Sequence, residues 1–416
     1  MLIHKIWKQI TKDADITSTG DVSVTADADT TASSISKKGT SVTIVNVDVI
    51  KAKAQIGTKS KPQTVSAGIS GGKIKTKTGG VKVNATNIGS ATADSYKEGD
   101  FSIANVVVVE LPTTSWYSTE AYIKGGADID SGEKIEVNAT DNNGKKKSSA
   151  ESIAESSSIG LLLNGNNTKG SNNFNAASNI DIDGKLRATD GIDILIRNDV
   201  KLTAKTTSRG KGFVEGDKVY AENNVTRTAF INISGGSELY TNFGDISIIS
   251  VIGRDDSITT YADVDSGGFV SIGDATTSFK NSAEAKVVIG GSTDILNRFG
   301  TITIKSDASM SDTSIHASSD CSGVDVEPHV LNTVESTLTS TVTIGGSGSE
   351  NTKIEGRYVY ITSNIGKLEQ TLYTYAKGSA LLNTTAITSK NDVTNTLNST
   401  TSVVKTDIIG HDNMTI

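Results

Sequence analysis

Apolar and polar residues alternate along most of this chain, and the alternation restarts at a glycine at near-regular intervals. Residues 285–307, AKVVIGGSTDILNRFGTITIKSD, show the grammar in full: an alternating strand, a Gly-Gly break, a short strand, a second glycine and another alternating strand. Residues 121–140, 176–198, 229–251 and 340–364 repeat it. A period of two puts Val, Ile and Ala on one face and Ser, Thr, Lys or Asp on the other, so each segment predicts a strand with one face in a core. After residue 13 there is no helical period, which leaves strands and turns.

The glycines that precede the strongest alternating strands are Gly20, Gly79, Gly132, Gly191, Gly244, Gly300 and Gly356, spaced by 59, 53, 59, 53, 56 and 56 residues. Seven units of about 56 residues predict parallel stacking of equivalent strands, at about 4.8 Å per layer. The expected fold is all-β, a right-handed parallel β-helix or related β-solenoid. One unit is either a single wide coil or two coils of about 28 residues, which gives a length of roughly 34 or 67 Å. Polar excursions such as DNNGKKKSS and TSRGKGFVEGD read as loops on the flank. In unit two, Pro112 and Trp116 predict an edge loop or protrusion, because proline cannot donate to a ladder; it is either a simple hydrophobic patch over the flank or a surface for contact with a neighbour.

Composition narrows the picture further. The 416 residues include 40 Gly and only 3 Pro, with 35% hydrophobic and 5% aromatic residues, so burial has to come from many thin layers rather than one thick core. A net charge of −7 argues against a nucleic-acid binder, and the one basic run, Lys145 to Lys147, reads as a solvated loop. Cys321 is the only cysteine, so no intrachain disulfide forms. Residues 1–13 have helix-like apolar spacing at Leu2, Ile3, Ile6, Trp7 and Ile10 and are expected to be a helical or irregular segment before a single solenoid domain at 14–416. They carry neither a signal-peptide core nor a cleavage site, and no transmembrane stretch follows.

The run A-x-[IV]-x-G, a short strand, then G-[DG]-[VI]-x-[VI]-x-[AS] resembles the repeats of large bacterial filamentous adhesins, the leukotoxin-like and filamentous-haemagglutinin-like surface proteins. The resemblance spans residues 14–416. It implies an extracellular or cell-surface shaft, exported through an outer-membrane partner and concerned with adhesion. The family's N-terminal secretion module and a recognisable receptor-binding domain are both missing from this chain.

Candidate chemistry is sparse. Asp128 with Asp130, Asp181 with Asp183 and Asp263 with Asp265 are Asp-x-Asp pairs whose carboxylates share one side of a strand. That pattern suits an acid/base pair, a weak cation site or simply a polar outer face. The outer-face reading is preferred, since Gly or Ser-Gly follows each pair. GGSGSENT at Gly345 lacks the Asp of the calcium-binding G-G-x-G-x-D repeat, and no G-K-[ST] follows any glycine-rich stretch. His316 and His329 could meet across a coil, while His4 and His411 are remote.

The expectation is therefore a non-enzymatic structural shaft of an extracellular bacterial filament or adhesin. It has no catalytic, metal or cofactor-binding residues, no nucleic-acid partner and no membrane insertion. Its partner would be another solenoid segment joined end to end, with any host glycan or protein ligand unknown. The alternatives are a carbohydrate-active β-helix enzyme and a self-assembling surface-layer subunit.

Overall fold

A computed structural model describes residues 5–12, 14–97, 100–142, 144–346, 351–384 and 386–416. Among these, 87% are strand and none is helix. All twenty strands belong to one parallel sheet wound on itself. The seven glycines at 20, 79, 132, 191, 244, 300 and 356 each open one coil, numbered here one to seven.

Strand register settles the size of the repeat. Val22 stands opposite Val81, then Ile135, Ile192, Ile246, Ile302 and Val359 follow, one residue from each coil. A second ladder runs Ala67, Ala121, Ile180, Ile231, Val287 and Val342. Equivalent strands pair directly, so one repeat is one wide coil and the seven coils stack to roughly 34 Å. The inward positions of these two ladders pack against each other as the main core, almost entirely Val, Ile, Leu and Ala. Serines tie the two sides together, as where Ser306 Oγ donates to the Ala285 carbonyl at 2.7 Å and Ser250 Oγ to that of Ala229 at 2.8 Å.

The Gly-Gly breaks are corners. Gly125 and Gly126 have φ of 69° and 68°, Gly236 84° and Gly345 85°, left-handed values that a side chain resists. In coil five, Ser292 takes the conformation at φ 62° within the turn between Ile289 and Asp294.

Three expectations need correcting. First, Lys5–Ile10 is a strand, paired in parallel with Gln63–Ser70 from Lys5 opposite Thr64 to Ile10 opposite Ile69. Six residues are too few to define a helical period, and a sheet edge supplies backbone partners that an isolated helical turn lacks. Residues 1–4 and Asp13 lie outside the described residues. Second, Pro112 and Trp116 do not protrude. They lie within the strand Asp100–Ser131, opposite Ser171 and Asn175 of the next coil. On the other side Pro112 meets the break between Val42–Lys51 and Ala54–Ile56, where a ladder donor is dispensable.

Third, TSRGKGFVEGD is not a loop. It belongs to the strand Val200–Ile233, which runs out from the core, bends near Phe213 and returns. Equivalent residues do the same in the other coils, and the stacked out-and-back arms form a flat flap. Its interior is thin, with a small apolar cluster of Ala204, Val219, Ala221, Ala262, Val264, Ala275, Ala317 and Val330. The rest of its lining is polar. Thr113 Oγ1 donates to Asn172 Oδ1 at 2.6 Å, and Asn172 Nδ2 donates to Asn223 Oδ1 at 2.8 Å, so an asparagine ladder climbs the coils. DNNGKKKSS, by contrast, does leave the strands between Thr140 and Ser148.

Interior and terminal coils should differ in mutational cost. Ile304 is fully buried in coil six, and Ile304→Ala should cost about 2–5 kcal/mol in a denaturant titration. Leu397, in the last coil, is 49% exposed, and Leu397→Ala should shift stability by no more than about 0.5 kcal/mol.

Candidate functional site

The Asp-x-Asp pairs face outward, and five of their six carboxylates have a partner. Asp128 pairs with Arg187 at 2.8 Å and Asp130 with Lys75 at 3.1 Å, while Asp181 pairs with Lys124 at 3.0 Å. Asp183 accepts from the Gly125 amide at 3.3 Å, and Ser318 donates to Asp263. These contacts follow from register. One outer row reads Lys73, Asp128, Lys185, Glu238, Asp294, Lys353 and Asp407 through successive coils, mostly alternating in sign. Opposite charges directly across a ladder stabilise it, and a slip of one residue would lose them.

The histidines do not meet. His316 lies between Tyr261 and Tyr373, with ring centroids at 4.7 and 4.5 Å, in a stack along the solenoid axis. Burial holds its imidazole below the usual value, with Asp263 acting against that. His329 sits on the other arm of the flap. Its Nδ1 is 3.0 Å from Asp274 and its Nε2 3.2 Å from Glu327. It borders a cavity of about 430 Å³ that Lys218, Tyr220 and Lys390 also line, and Lys218 lies 3.3 Å from Asp274. His411 pairs with Glu355 at 3.2 Å, and His4 lies outside the described residues.

Sequence reasoning missed the charges inside the solenoid. Arg227 shares the inward phase of Val225, Ala229 and Ile231, and it is fully buried. It holds Asp256 in a bidentate pair at 2.6 and 2.7 Å. Two more aspartates adjoin this pair at one corner. Asp141 accepts from the Asp199 amide and Asp199 from the Asp255 amide, each at 3.0 Å, so each caps the coil above it. Burial pushes the Asp141 carboxyl well above the carboxylate range, and the nearby Asp199 charge adds to it. Asp199 is itself held low: burial opposes this, but the Asp255 amide, Arg197 and Asn142 together outweigh it.

Two further buried groups lie inside the flap. Lys97, with no exposed side-chain surface, bonds both Asp48 and Asp100. In coil four, Glu215 and Asp217 point inward beneath Asn164 and Asn166, whose Nδ2 groups donate to them at 3.0 and 2.7 Å. Burial raises both acids, Glu215 to about 9 with help from Asp217, and Asp217 to about 6. For Arg227 and Lys97 the signal was available in the sequence, as a charged residue in the apolar phase of an alternating strand.

Among the described residues, no three His, Cys, Asp or Glu side chains group as a metal site. No family model, curated protein or solved structure matches the chain.

Two predictions concern the buried charges. Arg227→Met strands Asp256 in the interior and should cost about 3–5 kcal/mol, measured by denaturant unfolding. Adding Asp256→Asn should recover most of that loss. Glu215 titrates higher folded than unfolded, so the stability it contributes is complete below its ordinary value and is lost as pH rises toward about 9. The thermal midpoint should therefore fall across that window in the native protein, and Glu215→Gln should flatten the slope. An unchanged slope would show that the pair does not titrate in the fold.

Proposed function

We propose that this chain is a non-enzymatic structural shaft, a segment of an extracellular bacterial filament or adhesin of the kind its repeats resemble. The observation that carries this reading is the unbroken register of the Val22 to Val359 ladder through all seven coils. A rod built this way bears load along many parallel hydrogen bonds, because each coil's backbone groups bond to the coils above and below. The outer carboxylates support the same reading, since they serve as rungs between coils rather than converging in a groove.

The last coil supports end-to-end joining. Thr388–Val404 pairs on one side only, with coil six, and carries exposed Val393 and Leu397. A bare ladder edge of this kind templates another strand, whether from a continuing solenoid or from a second copy.

A second reading, a carbohydrate-active enzyme, is favoured by one feature. Asp274 and Glu327, on adjacent coils, flank the His329 ring beside the cavity. Hydrolysis of a polysaccharide that disappears in Asp274→Asn and Glu327→Gln would decide for the enzyme.

Under the shaft reading, electron microscopy should show rods that lengthen with concentration. Val393→Lys with Leu397→Lys places charge on the terminal edge and should keep the rods short. Rods of unchanged length in that variant would rule out joining through this edge.

A further inference from the structure

The bend of the flap carries a feature that neither the core nor the ladders require. Ile44 of coil one aligns with Ile103 of coil two, between the pairs Thr43 with Ser102 and Val45 with Ala104. In coil three the same place holds Leu161 and Leu162, bulged between Gly160 and Leu163. Phe213 and Phe269 follow in coils four and five, stacked at 4.8 Å and nearly parallel. Val324 continues the column in coil six, and Leu381 with Leu382 ends it in coil seven. Every coil thus places a bulky apolar side chain at the outermost point of its flap.

Apart from the half-buried Val324, these side chains are open to solvent. Leu161 is 59% exposed, Phe213 51%, Phe269 46%, and Leu381 and Leu382 80% each. With flanking Phe101, Ile159 and Leu163, the crest presents roughly 1,000 Å² of apolar surface, well beyond the few hundred usual on a monomer.

We propose that this crest is a lateral interface on which a second copy of the chain packs side by side. Two crests brought together would bury at most roughly 2,000 Å², within the range that stable interfaces use. A second copy also carries the same spacing, one apolar group per coil, along the whole length of the contact.

The charge pattern argues against a bilayer as the occupant. Charges beside the crest are of mixed sign, with Lys211 in coil four, Asp265 in coil five, and the Asp320–Lys377 pair at 2.8 Å joining coils six and seven. Both tryptophans lie elsewhere, at positions 7 and 116, and the chain has net charge −7. A membrane-seated edge would instead carry a cationic and aromatic border.

The test is sedimentation velocity on the full chain with crest variants. With end-to-end joining blocked by Val393→Lys and Leu397→Lys, the protein should sediment as a side-by-side dimer, and adding Phe213→Ser with Phe269→Ser, both at exposed positions, should weaken association at least about 30-fold. Circular dichroism should show the fold of that variant unchanged. Phe213→Cys should form a disulfide between copies under mild oxidation, while Phe243→Cys at a different corner should not; Cys321 is buried and contributes no background. Val393→Lys with Leu397→Lys should leave the dimer intact, which separates this contact from end-to-end joining. A native protein that stays monomeric at about 100 μM, well above the Kd of a standard interface, overturns the proposal. So does a dimer without the Phe213→Cys cross-link, or flotation with phosphatidylcholine–phosphatidylglycerol vesicles that the crest variant loses.

Discussion

Each coil of this protein depends on its neighbours for nearly all of its backbone hydrogen bonds. In a parallel ladder the N–H and C=O groups point along the stacking axis, and a buried group left without a partner costs as much as a lost bond. One coil alone would leave all of them open. The thin composition follows from this constraint. Because the ladders supply direction and register, the interior needs only small side chains to fill it, and Ala, Val and Ile suffice in rows such as Ala67, Ala121 and Ile180. A chain with 5% aromatic residues folds because its hydrogen bonding is long and regular rather than because its core is deep.

The same stacking makes an interior position tolerant of charge. Arg227 would be ruinous in an ordinary β core, but here the corner that turns each coil brings Asp256 within bidentate reach. Asp141 and Asp199 recur at equivalent corners because each accepts a backbone amide of the next coil, and Asp256 beside them accepts the Val200 amide. A like-charged row is costly, and the fold deals with it by keeping Asp141 raised and Asp199 lowered, so the full repulsion is not borne. Glu215 and Asp217 present the same problem, and Glu215, raised to about 9, meets it by holding its proton.

Much of this fold was legible in the sequence, and the failures have physical causes. Glycine spacing and period-two alternation identified the solenoid and its seven units, because both report on a strand with one buried face. They could not separate one wide coil from two narrow ones, since alternation records only inside against outside and both arrangements alternate. Pro112 was misread because its ladder partner lies in another coil, across a break at Ala52 and Lys53 that only register reveals. TSRGKGFVEGD was misread as a loop because its inward residues are Ser208, Gly210, Glu215 and Asp217, polar enough to hide the alternation. The carboxylate pairs lie on the outer face as expected, since a polar residue two places from another in an alternating strand shares its side.

What the flap is for follows from what it lacks. In coil four it occupies residues 201–226, about half of the coil, yet it contributes only a small cluster of Ala and Val to the buried apolar surface. Its lumen also has to accommodate Asn172, Asn223, Glu215 and Asp217, each of which costs desolvation. A solenoid of the two base ladders alone would have a better ratio of core to chain. Extending every coil outward at this cost is economical only if the outermost point matters, and that point keeps its apolar character whether it is filled by Ile, Leu, Phe or Val. Constancy of chemistry with variation of residue is what packing against a repetitive apolar partner demands. A binding pocket for one defined ligand would have fixed the side chains themselves.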